Sequence, residues 1–140
     1  MKPVMHKVAK SFSEYPYYAC PAACGFPSPA ADYLEDRLSL DQLLVEHPAA
    51  TFFARAQGDS MLGAGIHDGD LLIIDRALTA QDGDIIIALL DGELLVKRLY
   101  RRHGRVELHS ENTDYSPIIM DGDATLDVWG VVIHVIHSLR

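Results

Sequence analysis

The chain has 140 residues, 49% of them hydrophobic and 23% charged, which suits one soluble globular domain with a sizeable core. No apolar run reaches the ~20 residues that span a bilayer. The basic start Met1-Lys2-Pro3-Val4-Met5-His6-Lys7 has no apolar stretch behind it, unlike a secretory signal, so a cytoplasmic protein is expected by elimination.

The net charge of −8 falls on residues 41–140, where eight basic side chains face sixteen acidic ones. That part repels nucleic-acid phosphates, so strong direct DNA binding is not expected.

Residues 1–31 read as an extended arm. Five of the seven prolines lie there (Pro3, Pro16, Pro21, Pro27 and Pro29). Proline fixes φ and removes a backbone donor, so no helical or strand period is expected. Tyr15, Tyr17 and Tyr18 are more apolar than a free tail needs and are expected to pack on the domain or on a second subunit. Ala22-Ala23-Cys24-Gly25 is a run of small side chains that by itself reads as a flexible Pro/Ala/Gly linker. Cys20 and Cys24 stand four apart with no second pair, which suits neither a zinc site nor a cytoplasmic disulfide.

Residues 32–140 read as one mostly β domain with a single short helix. Ser39 and Gln42 form a capping-box pattern, Leu40, Leu43, Leu44 and His47 make an apolar stripe, and Pro48 ends the helix. Strands are expected over Thr51–Ala56, Leu71–Asp75, Asp84–Leu90, Glu93–Leu99, Arg105–His109 and Leu126–Ser138. Asp91-Gly92 signals a two-residue hairpin, and His103-Gly104 a second one. Arg98, Arg101, Arg102 and Arg105 cluster around that second turn and read as solvated. In the last strand, Gly130 is expected to introduce a bend. Residues 121–127 look superficially like a calcium loop but lack EF-hand spacing. No metal or cofactor is expected.

Thr51–Ala56 runs into Gly58-Asp59-Ser60-Met61. Gly58 permits backbone angles that other residues resist, so the turn is expected to present Ser60 at its tip. Lys97 is the only lysine after residue 10. Strand alternation puts it on one face with Leu95 and Leu99, where burial favours the neutral amine. Reaching neutrality at pH 7 costs about 4.6 kcal/mol, within the range that burial supplies. From these residues alone, Lys97 is either a snorkelling lysine at a strand edge beside an ordinary turn serine or a candidate general base for Ser60. Among the seven histidines, His67 and His109 are the first candidates for a Ser-His-Asp alternative.

Gly58-Asp59-Ser60-Met61, then Gly65-Ile66-His67-Asp68-Gly69-Asp70-Leu71-Leu72, then Val96-Lys97-Arg98, resemble the UmuD/LexA family of self-cleaving serine–lysine peptidases (peptidase family S24). The likeness extends from Cys24-Gly25-Phe26-Pro27-Ser28-Pro29 to Gly130-Val131-Val132-Ile133-His134-Val135. It implies a compact, curved β-sheet catalytic domain similar to that of LexA and signal peptidases. It also implies a Ser60/Lys97 dyad, an oxyanion hole from the backbone N–H groups of Asp59 and Ser60, and cleavage between Cys24 and Gly25. Cysteine at the cut site sides with the UmuD-like branch.

By the same resemblance the chain forms a homodimer and cuts itself when it meets a RecA–single-stranded DNA filament during the SOS response. The trimmed dimer then joins a Y-family, UmuC-like polymerase subunit in translesion synthesis. Two other readings stand beside this one. The first is a non-catalytic dimeric accessory module of a polymerase. The second is a LexA-like repressor, disfavoured by the acidic balance and by the lack of a helix-turn-helix before the cut site.

Overall fold

The computed structural model describes residues 1–7, 13–18, 34–120 and 126–140. The expected cut site, Cys24-Gly25, and most of the 121–127 turn lie outside the described residues. The chain divides into two compact units, Met1–Val8 with His47–Arg140, and Ala9–Glu46. The expected arm boundary at residue 31 lies among the undescribed residues.

The larger unit is built on one antiparallel sheet. Its strands are β1 (Val4–Lys7), β4 (Thr51–Arg55), β5 (Leu71–Asp75), β6 (Ile85–Leu90), β7 (Glu93–Arg102), β8 (Arg105–His109), β9 (Ile118–Met120) and β10 (Val128–Ile136). Their spatial order is β1-β4-β5-β10-β6-β7-β8-β9. Both expected hairpin turns form, with positive φ at Asp91 (50°), Gly92 (79°), His103 (51°) and Gly104 (74°), as the tight two-residue connection requires.

Side-chain alternation along the central strands supplies a core on each face of the sheet. Ile87 and Val96 join Ala54, Met61, Leu72 and Ile74 in one cluster. Ile86, Ala88 and Leu99 join Val106, Leu108 and Val131 in the other. Each fully buried Ile or Leu contributes about 1.5–3 kcal/mol relative to exposure. The sheet therefore holds its middle strands from both sides.

Gly130 breaks the β10–β6 register, which shifts between Val128 and Gly130, as the sequence leads one to expect. The glycine is also needed sterically, because a Cβ there would lie 2.6 Å from Ile74 Cγ2 and 3.2 Å from Arg76 Cγ. Arg76 closes the bend by donating from Nε to the Trp129 carbonyl at 2.7 Å and lying over the indole ring.

The smaller unit contains β2 (Tyr15–Tyr18) paired with β3 (Leu34–Leu38), and the helix α1 (Leu40–Leu44). The Ser39 hydroxyl accepts from the Gln42 amide at 3.3 Å, as the capping pattern requires. The helix is shorter than the stripe implied. It stops at Leu44, and Pro48 opens a 3-10 turn over Pro48–Ala50 rather than ending α1. His47 is thus not a helix-face residue, and its ring meets buried Asp75 at 2.6 Å.

The strands of residues 1–40 were not visible in the sequence. β1 owes its form to the ladder that β4 offers from Phe52 to Arg55. In β2, Pro16 sits opposite Arg37 in a two-stranded ladder, where a missing N–H is tolerated at an edge. Tyr15, Tyr17 and Tyr18 are all exposed.

Candidate active site

β4 leads the chain through Gly58, whose φ of +98° favours glycine. The Gly58 amide donates to Asp68 Oδ1 at 2.8 Å, tying the two ends of the loop together. Met61, fully buried, anchors the loop in the core, and a 3-10 turn over Leu62–Ala64 follows. Ser60 is only 3% exposed, so the turn does not display it to solvent as expected from its glycine-rich setting.

Neighbouring chain holds the loop from the other side. Gly63 N–H donates to the Glu111 carbonyl at 2.7 Å, an approach so close that a Cβ on Gly63 would meet that oxygen at 2.8 Å. Asn112 Nδ2 donates to the Asp59 carbonyl at 3.0 Å, and the Tyr115 hydroxyl donates to Asp59 Oδ1 at 2.8 Å. The peptide preceding Ser60 is thereby fixed at both its backbone and its side chain. Gly63, Glu111, Asn112 and Tyr115, with His109 and Ser110, help line an open depression of about 380 Å³.

Lys97 lies in β7 and is 8% exposed. Its ammonium donates to Ser110 Oγ at 2.7 Å. Burial lowers its pKa below the ordinary 10.5, because the charged form loses hydration that one hydroxyl replaces only in part. Arg98, next in the strand, points to the other face and is neutralised by Glu111, with Nε to Oε1 at 2.6 Å.

A third group faces the serine. The Met1 α-ammonium donates to Ser60 Oγ at 3.0 Å, and the Met1 carbonyl accepts from the Val96 amide at 2.8 Å. The amine's pKa is pushed below 8.0 by burial first, then by the positive charges of Lys97 and Lys2, with Asp59 opposing. Ser60 and the charge of Lys97 thus both act on the Met1 amine, whose residue is held against β7 by the Val96 amide. In this arrangement Ser60 accepts from Met1 while Lys97 donates to Ser110.

Of the histidine alternatives, His109 lines that same depression beside Ser110. His67 Nδ1 is 3.6 Å from Asp70 Oδ2, and the His109 ring packs edge-on against Tyr100. The basic cluster also has structural partners, with Arg101 donating to the Ala80 carbonyl and Arg102 stacking on Tyr100. Reading the sequence missed Ser110, Asn112, Tyr115 and the Met1 amine. Ser110 had a signal, since a two-residue turn at His103-Gly104 fixes the β7–β8 register and sets Lys97 opposite Ser110. The others carry none, being loop and terminal residues brought in by tertiary contacts.

Residues 16–133 match the family model described as Peptidase S24-like. Similar proteins include SamA of Salmonella typhimurium, 47% identical over 121 residues that make up 86% of this chain and 82% of SamA. ImpA of Escherichia coli is 45% identical over 126 residues, 89% of this chain and 85% of ImpA. LexA repressor 1 of Geobacter sulfurreducens is 36% identical over 117 residues, 83% of this chain and 57% of the repressor.

Proposed function

We propose that this chain, which belongs to the peptidase S24-like family, is a self-cleaving serine endopeptidase that cuts between Cys24 and Gly25. The observation carrying this reading is that buried Ser60 and the Lys97 charge both act on the amine of Met1, which is seated on the Val96 amide beside them. A strand occupying that seat gains main-chain hydrogen bonds such as the one Val96 gives Met1, and small side chains at 22–25 demand little room.

In the proposed reaction Met1 leaves the seat and the Cys24-Gly25 peptide enters it. Neutral Lys97 takes the Ser60 proton as Oγ attacks the Cys24 carbonyl carbon. The backbone N–H groups of Asp59 and Ser60 hold the oxyanion, and the clamp on Asp59 from Asn112 and Tyr115 keeps that peptide oriented. The C–N bond breaks as the Lys97 ammonium gives its proton to the Gly25 nitrogen. Water, deprotonated by Lys97, then attacks the Cys24 ester, and the Lys97 ammonium returns the proton to Ser60 Oγ as the C–Oγ bond breaks. Because the substrate is part of the chain or of a partner subunit, effective molarity replaces a deep specificity pocket.

The biological setting follows the same reading. It comprises a homodimer in the cytoplasm, cleavage stimulated by a RecA–single-stranded DNA filament, and service of the trimmed dimer with a Y-family, UmuC-like polymerase subunit. Likeness to ImpA and SamA supports it. Among the described residues, no helix is long and apolar enough to cross a membrane. The Met1 amine on Ser60 favours a second reading, in which the site is permanently capped and the protein is a non-catalytic accessory module of a polymerase.

Intact mass followed against time, with and without the RecA filament, separates the two. Wild type splitting between Cys24 and Gly25, with Ser60→Ala and Lys97→Ala remaining whole, supports the peptidase. Wild type remaining whole under both conditions supports the module.

A further inference from the structure

We propose that His67, Asp70 and His137 form a binding site for a divalent transition-metal ion of the zinc class. Two ladders of the fold bring them together. Antiparallel pairing sets Ile136 of β10 against Leu71 of β5, so His137 and Asp70, each one step beyond the ladder, face one another. His67 joins them through a tight loop in which the Asp70 amide donates to the His67 carbonyl at 3.1 Å and the His67 amide donates to Asp70 Oδ2 at 2.8 Å. One donor atom from each of the three side chains lies within 4.8 Å of the others.

The donor set and its exposure suit a metal. Two imidazoles and one carboxylate are the ligands that zinc, nickel and copper accept, whereas calcium and magnesium want oxygen alone. The Asp70 side chain is 2% exposed while those of His67 and His137 are 51% and 46% exposed. The carboxylate therefore forms a fixed floor, and the rings leave the outer side open for ion entry and for water as a further ligand. Metal–ligand bonds of about 2.0–2.1 Å in a tetrahedron put donor atoms about 3.4 Å apart. His67 Nδ1 and Asp70 Oδ2 already stand at 3.6 Å. His137 Nδ1 and Asp70 Oδ1 stand at 2.5 Å, a hydrogen bond whose proton an ion would displace into solvent as the pair opens by about 1 Å. The two rings are tilted by 35° with centroids 4.8 Å apart, close enough to turn toward one centre.

Such an ion would join the end of β10 to the loop that carries Ser60. That loop is continuous with the site through the Ile66 amide on the Met61 carbonyl and the Gly69 amide on the Ala56 carbonyl.

The test is a titration of the full chain, freed of metal by dialysis, with zinc chloride by calorimetry and with cobalt(II) as a visible-absorption probe. Wild type, a Cys20→Ser/Cys24→Ser variant and His134→Ala are expected to bind one ion per chain with equal affinity. His67→Ala and His137→Ala are expected to bind about tenfold or more weakly and to lose the cobalt absorption bands. Absence of binding to wild type, or unchanged affinity in His67→Ala, overturns the site. Because His67 sits half-exposed on a loop, its variant decides the matter even where His137→Ala loses its folded circular dichroism.

Discussion

Lys97 and Ser110 stand directly opposite one another, one step past the last pair of the β7–β8 ladder, and the 2.7 Å hydrogen bond between them gives the buried ammonium a polar partner. The ladder pairs Arg98 with His109, so the contact is set by backbone register. Ser110 accepts from the charged amine and so favours it. Removing the hydroxyl leaves the charge less well solvated and the side chain less well oriented. In Ser110→Ala, self-cleavage is expected to plateau about five- to tenfold lower, the loss of about 1 kcal/mol, while the midpoint of its pH profile moves down. Ser110→Thr should restore both. Rates measured by intact mass from pH 6 to pH 10 check the two effects separately.

The pH dependence of wild type has a definite sign. A base works when deprotonated, and burial holds the Lys97 pKa below 10.5. The cleavage rate should therefore climb with pH and level off before pH 10.5, rather than falling on the alkaline side. A profile that declines steadily from pH 7 upward would exclude Lys97 as the base.

Stability should rise with pH alongside activity. The folded-state pKa of Lys97 lies below its unfolded value, so below the folded pKa the native state bears the full cost of a buried charge. Stability is regained as pH rises toward 10.5, because the unfolded state there binds the extra proton. Each unit of lowering corresponds to about 1.4 kcal/mol. Lys97→Met, which keeps the hydrocarbon and removes the charge, is expected to be more stable than wild type at pH 7 by about 1 kcal/mol. The gap should narrow at pH 10. Urea unfolding at the two pH values measures it, and Lys97→Met should also be inactive.

Gly130→Ala tests the bend in β10. The added methyl carbon would fall 2.6 Å from Ile74 Cγ2, and Ile74 is fully buried, so it has little room to yield. A loss of about 1–3 kcal/mol is expected, read from the urea midpoint. Gly92→Ala, where nothing lies within 4 Å of the added atom, fails differently. Its cost comes from the φ of +79° and should be about 1 kcal/mol.

Local chemistry was readable from residue 51 onward. Asp91-Gly92 and His103-Gly104 declare their turns, and the strands they join alternate cleanly. Even the buried state of Lys97 follows from its place between Leu95 and Leu99. Where the stabilising partner is distant, the sequence is silent. Val4–Lys7 has no strand pattern of its own, and it is ordered by pairing with β4, whose nearest residue in that ladder lies some 45 positions on. Leu40, Leu43 and Leu44 are spaced for a longer helix, yet α1 ends after five residues. Leu40 and Leu43 remain more than half exposed, so no packing rewards its extension. Met1 escapes any sequence argument, because neither its side chain nor its amine announces a place beside Ser60.

β10 is the final strand in chain order and yet lies between β5 and β6, pairing with both. During synthesis on a ribosome, β1-β4-β5 and β6-β7-β8-β9 therefore emerge as two half-sheets with no seam between them. Each presents an unsatisfied edge until β10 clears the exit tunnel. Assembly is thus a closing event rather than a vectorial one, with long-range pairing that slows the search. Ser60 and Lys97 belong to opposite halves, so under the proposed reaction a nascent chain cannot cleave itself before that closure.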